Sequence, residues 1–198
     1  MSDTRRLPEI QPVERRTFLR YSLVGGTVAG LGAFGAGVLG FLWPNLGEGF
    51  GATIDLGPAA DILSEIRAEK APFVYPSGRL YVVEYDPSLP GAEEAYGEIG
   101  PVTDSGAGLM ALYHKCVHLG CRVPWCQTSQ WFECPCHGSK YNKWGEWVGG
   151  PAPRGLDRFP ASIENGNLVV NTGTVVTGPA RTARVLQQEA EGPNCVDL

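Results

Sequence analysis

Cys116-Val117-His118-Leu119-Gly120-Cys121 and Cys134-Pro135-Cys136-His137-Gly138-Ser139-Lys140-Tyr141 hold most of the chemistry legible in this chain. The first segment offers C-x-H, the second offers C-x-x-H, and each carries one further cysteine. A spacer of 15 residues separates His118 from Cys134. Two thiolates and two imidazoles are the donor set of a 2Fe-2S cluster whose irons are unequally ligated, one by sulfur and one by nitrogen. Replacing anionic thiolates with neutral imidazoles leaves less negative charge around the iron and raises its reduction potential. Zinc is the alternative, since it also takes two Cys and two His. Zinc sites, however, favour pairs of one residue type at short spacing. Here each box mixes the types and leaves a cysteine over, so the spacing favours iron and sulfur.

The segment from Cys116 to Tyr141 resembles the Rieske iron–sulfur proteins, in particular the high-potential subunits of quinol-oxidising cytochrome bc complexes. Val123-Pro124-Trp125 and Gly150-Pro151-Ala152-Pro153 look most like the chloroplast and cyanobacterial branch. The resemblance covers residues 109–173, and residues 50–108 share only its general character. It implies a mostly β fold: an antiparallel β sandwich with a small cluster-binding subdomain, plus one N-terminal transmembrane helix. It implies one Rieske-type 2Fe-2S cluster held by Cys116, His118, Cys134 and His137. Cys121 and Cys136 would form a disulfide between the two loops. Ser139 and Tyr141 would hydrogen-bond to cluster sulfurs and raise the potential, toward roughly +300 mV rather than −150 mV. Gly149-Gly150-Pro151-Ala152-Pro153 is similar to the proline loop that covers the cluster's third side. His137 would present its outer ring nitrogen at the surface, hydrogen-bond a quinol held by a cytochrome b subunit, and take its proton on reduction. The electron would pass to a c-type cytochrome or an equivalent acceptor. The resemblance thus implies the iron–sulfur subunit of a quinol:cytochrome c reductase. The Rieske subunit of a periplasmic oxidoreductase such as arsenite oxidase is the alternative. A ring-oxygenase ferredoxin would typically lack the disulfide cysteines and a membrane span.

Composition limits the remaining possibilities. The 198 residues suffice for one modest domain with appendages, and 27 Gly with 16 Pro suit a β-rich, loop-rich fold. A net charge of −5 argues against a nucleic-acid partner. A Cys121–Cys136 disulfide would not persist in a reducing cytosol, so the cluster head belongs in an oxidising space. Arg15-Arg16-Thr17-Phe18-Leu19-Arg20 looks like the twin-arginine export motif R-R-x-F-L-K, with Arg in the last place. From Tyr21 to Trp43 no residue is charged. As a helix that segment spans about 34 Å, enough to cross a bilayer. Gly26, Gly30 and Gly37 would allow close helix packing, Trp43 suits the interface, and Pro44 ends the helix. Five arginines against three acids precede the span and favour a cytoplasmic N-terminus with the head on the outer, periplasmic side. A cleaved signal peptide is the other reading.

These signals divide the chain into a cytoplasmic segment 1–20, a transmembrane helix 21–43, a flexible neck 44–52, a head 53–178 and a C-terminal tail 179–198. The cluster-binding subdomain occupies about residues 112–154 of the head. The neck rests on Gly47, Gly49 and Gly51. Arg79–Tyr85, Leu109–Tyr113, Trp131–Glu133 and Asn167–Asn171 read as strands, the last after the turn signal Glu164-Asn165-Gly166. Residues 62–70 read as a short helix, residues 86–108 as a long loop, and residues 181–191 as a weak helix. Cys126 and Cys195 are an even pair outside the family pattern. They suggest a second disulfide, with two free thiols as the other reading. His114 is read as structural, because the donor set is complete without it.

Overall fold

The computed structural model describes residues 14–43 and 50–197. Helix α1 (Arg15–Leu42) takes up the arginine pair together with the uncharged segment. It has no buried residue, and an 18-residue window of it has a mean hydropathy of 1.6. Its 28 residues extend about 42 Å, long and apolar enough to cross a membrane. Of the expected neck, residues 44–49 lie outside the described residues. Residues 50–52, by contrast, are tied to the head. Gly51 N donates to Thr172 Oγ1 at 2.9 Å, Thr172 N donates to Ala52 O at 2.9 Å, and the Phe50 ring stacks 5.4 Å from Tyr113.

The head begins with β1 (Thr53–Pro58), α2 (Ala59–Glu69), β2 (Phe73–Tyr75) and β3 (Leu80–Tyr85). It continues through α3 (Ala92–Tyr96), β4 (Gly108–Tyr113), β5 (Trp125–Cys126), β6 (Trp131–Glu133), β7 (Lys140–Tyr141) and β8 (Trp147–Gly149). It closes with β9 (Arg158–Phe159), β10 (Ala161–Glu164) and β11 (Asn167–Asn171). Three antiparallel sheets result, ordered β1-β11-β10, β2-β3-β4-β9 and β5-β6-β7-β8. The turn between β10 and β11 puts Asn165 and Gly166 at φ 53° and 84°. This is the left-handed pair that a tight hairpin requires.

The middle sheet explains why the sequence alternates only weakly there. Leu80 and Val82 of β3, with Leu109, Ala111 and Tyr113 of β4, face one core shared with Ile62, Leu63 and Ile66 of α2. Tyr81, Val83 and Tyr85, with Met110 and Leu112, face a second core against the third sheet. Both faces are covered, so the strand needs apolar residues at nearly every position. The second core thereby extends under the loops that open on Cys116 and Cys134.

Two expectations are corrected. Residues 86–108 are more than a loop: α3 inserts Ala92 and Tyr96 into the second core, both at or below 1 % exposure. Residues 181–191 form no helix. Their backbone groups bond to the head instead, which removes the demand for intrahelical partners. Val185 N and Leu186 N donate to the Glu146 carboxylate at 2.9 and 3.1 Å, and Asn142 Nδ2 donates to Leu186 O at 2.8 Å.

Trp144 anchors this side of the core. It is 1 % exposed and meets Tyr85 and Tyr96 edge-on at 5.9 and 5.8 Å. Its Nε1 donates to Glu84 O at 3.1 Å. Trp144→Ala is expected to cost about 3–5 kcal/mol. Urea unfolding should show this as a lower midpoint at an unchanged slope.

Candidate metal centre

The two boxes fold into loops of the same design. In the first, Cys116 N donates to Cys121 O at 2.7 Å, and Gly120 N returns to Cys116 O at 2.9 Å. In the second, Cys134 N donates to Ser139 O at 2.8 Å, and Gly138 N returns to Cys134 O at 3.0 Å. Each loop opens on a buried cysteine. Each turns at a glycine four residues later, with φ of 90° at Gly120 and 70° at Gly138. A side chain at either position would force the left-handed backbone against its own Cβ. The strands around the loops fix their orientation: β4 delivers the first, while β6 enters the second and β7 leaves it.

This geometry brings together the two loops that carry the expected donors. Cys116 and Cys134 are each 1 % exposed and carry no disulfide. The His118 and His137 rings lie 4.9 Å apart at 88°, with His118 half-buried and His137 exposed. Cys121 and Cys136 are joined at 2.09 Å and tie the loops together. The sulfurs of Cys121, Cys134 and Cys136 all lie within 4.8 Å of one another. Two of those three are used in the disulfide, so that trio offers only the Cys134 thiolate to a metal. Leu119, 71 % exposed, and Pro135 are exposed apolar residues on the loops that carry the histidines.

The donor set fits the cofactor that the boxes suggest. Burial pushes the Cys134 thiol above its ordinary value, and neighbouring Cys116 adds to this. The backbone N–H groups of Cys136 and His137 pull the other way. Two adjacent buried thiols become thiolates most readily when a cation compensates them. The Tyr141 hydroxyl lies 3.2 Å from Cys116 Sγ. Burial, and then the bond to Cys116, raise the Tyr141 pKa far above normal, so the phenol keeps its proton and can donate it to sulfur. Ser139 Oγ accepts from Ala152 N at 3.1 Å, leaving its own hydrogen to donate.

The segment 149–153 sits directly on the second loop. A Cβ at Gly150 would come 2.4 Å from Gly138 O and 2.6 Å from Ser139 Cα, so only glycine permits the approach. His114 is stacked 5.9 Å from Tyr113. Burial, with Arg122 and Arg79 near it, holds its imidazole below the usual range. Cys126 and Cys195 are bonded at 2.05 Å. Sequence reasoning missed Glu133, wholly buried just before Cys134, and Arg181, which reaches Gly150 O. An acid ending an otherwise apolar strand, directly before a box cysteine, is the available signal for Glu133.

Comparison with known proteins places the same region. Residues 93–160 match the model of the Rieske [2Fe-2S] domain. The cytochrome b6-f complex iron-sulfur subunit of Chlorobaculum tepidum is 40 % identical over 70 residues, 35 % of this chain and 39 % of that protein. The subunit of the same name from Synechococcus sp. strain WH7803 is 44 % identical over 71 residues, 36 % of this chain and 40 % of that protein. The chain thus spans about two fifths of the length of these curated relatives. The plasma membrane Rieske protein of Synechocystis PCC 6803 superposes with a TM-score of 0.38 at 27 % identity, covering 59 % of this chain and 97 % of that one. The paired loops lie within the matched residues, so the chain carries a stretch similar to the Rieske [2Fe-2S] domain, and the donor set there fits one 2Fe-2S cluster.

Proposed function

We propose that the protein is the electron-transfer subunit of a membrane quinol-oxidising cytochrome bc-type complex. Cys116, His118, Cys134 and His137 would hold the cluster. When bound, that cluster supplies a one-electron acceptor in the upper part of the Rieske range, roughly −150 to +300 mV. His137 carries the reading: it is the exposed member of the pair, and the two loops also expose the apolar Leu119 and Pro135. Its outward ring nitrogen hydrogen-bonds the quinol hydroxyl and takes the proton. Leu119 and Pro135 help exclude water from that contact. The disulfide between Cys121 and Cys136 keeps both loops, and so both imidazoles, at a fixed spacing. A cytochrome b subunit presents the quinol, and a c-type cytochrome or equivalent acceptor receives the electron.

Helix α1 would be the single membrane anchor, with its arginine pair on the cytoplasmic side and the head outside. The names of the curated relatives support a membrane complex, and the 28-residue apolar helix supports an anchor. Purification of the full chain from detergent-solubilised membranes tests the assignment. A co-purifying cytochrome b supports it, and a molybdenum-containing partner contradicts it.

Tyr141 tunes the potential through its hydroxyl on Cys116 Sγ. Tyr141→Phe deletes that donor with little change of shape. One net hydrogen bond of about 1 kcal/mol corresponds to a fall of about 40 mV for a one-electron couple. Redox titration monitored by circular dichroism measures it, and an unchanged midpoint removes Tyr141 from this role.

A further inference from the structure

Residues 179–197 lie beyond the matched domain, yet they hold the second box from two sides. On one side Arg181 Nη2 donates to Gly150 O at 2.6 Å, and its guanidinium lies 4.1 Å over the Trp147 ring. Trp147 Nε1 donates to the same carbonyl at 3.2 Å. Gly150 in turn presses on Gly138 and Ser139, and Gly138 N is bonded to Cys134 O. Contacts therefore run without a break from Arg181 to the loop that carries Cys134 and His137.

On the other side Cys195 is bonded to Cys126 at the end of β5. Val196 N then donates to Glu133 Oε2 at 2.8 Å, and Ser129 Oγ donates to Oε1 at 2.5 Å. Asn194, with its amide turned to satisfy both neighbours, donates to Glu133 Oε1 and accepts from Lys140 Nζ, each at 3.0 Å. Glu133 is wholly buried immediately before Cys134. A buried carboxylate keeps its place only while these donors remain. Between the two ends, Glu146 binds Val185 N and Leu186 N, and Gln188 Oε1 accepts from Lys143 N at 2.9 Å.

We propose that residues 179–197 are a strap that positions the second box for its cluster. Arg181 holds the proline loop down on Gly138, and the Cys126–Cys195 disulfide fixes Glu133 behind Cys134. Groups outside the ligand set orient the ligands and tune the metal, and here that task falls to a segment remote in sequence. Arg181 is a positioning residue, since it acts through Gly150. The inference rests on the cluster assignment above.

The test uses the full chain in detergent, with and without Arg181→Gln, Arg181→Lys and the double variant Cys126→Ser/Cys195→Ser. Two quantities are read: the rate at which visible iron–sulfur absorbance is lost under a chelator, and the midpoint potential. Far-ultraviolet circular dichroism checks that each variant is folded. Arg181→Gln is expected to lose its cluster about fivefold faster, the equivalent of one net hydrogen bond, with a shifted midpoint. Arg181→Lys should recover part of both changes. The double serine variant should lose its cluster faster still, because it frees a whole end of the strap. Wild-type rates and midpoints in Arg181→Gln and in the double variant would overturn the strap while leaving the cluster assignment standing. If the double variant does not fold, Arg181→Gln and its lysine counterpart decide the matter. A wild-type protein without a Rieske signal overturns the cluster assignment and the strap together.

Discussion

Cys134→Ser is expected to abolish the iron–sulfur signal of the reduced protein, whereas Cys126→Ser leaves that signal in place. The two cysteines lie in the same subdomain and are equally buried, each at 1 % exposure. They differ in their partners. Cys134 is a free thiol beside Cys116, in a loop whose backbone N–H groups favour its anion. Cys126 is bonded to Cys195. A hard, weakly basic serine oxygen is a poor substitute for a thiolate on iron. Loss of one of the four proposed ligands should therefore be a loss of assembly rather than a shift in properties. Electron paramagnetic resonance of the purified variants, with iron determined in parallel, reads the difference. A full signal in Cys134→Ser would remove Cys134 from the ligand set.

Removing the disulfide between the boxes is the second large effect. Cys121 and Cys136 close a loop with a sequence separation of 15. In the chain-entropy account such a cross-link stabilises by about 3 kcal/mol, mainly by restricting the unfolded chain. Cys121→Ala/Cys136→Ala should lower the melting temperature by roughly 6–12 °C for a head of this size. The double variant should also lose its cluster more readily, because the spacing of His118 and His137 then depends on loop hydrogen bonds alone. Calorimetry on wild type and variant, each carrying its cluster, measures the shift. A melting temperature unchanged within about 2 °C would show that the loops are already held by other contacts.

The boxes were legible because their information is chemical and local. Four of the six cysteines and two of the three histidines fall in the boxes, and both loops repeat the same spacing from cysteine to glycine. The hairpin at Asn165-Gly166 was legible for a similar reason, since few residue pairs accept that backbone. β3 and β4 were recognisable as strands, but their two-sided burial was not. A strand covered on both faces has no alternation to reveal which residues meet which core. β5 and β7 are two residues each, too short for any periodicity to register. The packing of Tyr96 into the second core left no trace in its own segment, because the cavity it fills is built by β3 and Trp144.

The C-terminal segment shows the limit most clearly. Its order comes from side chains in the head, above all Glu146 and Glu133, that accept its backbone N–H groups. Composition suggested a weak helix, because nothing local records such distant acceptors. Cys195 was the one hint, and it indicated an attachment without indicating what the attachment holds.

The central claim is that Cys116, His118, Cys134 and His137 hold a high-potential 2Fe-2S cluster. The electron paramagnetic resonance spectrum of the full chain after reduction with ascorbate tests it most directly. A rhombic iron–sulfur signal close to one unpaired spin per chain is expected with this mild reductant. A silent spectrum from folded protein carrying stoichiometric zinc would contradict it.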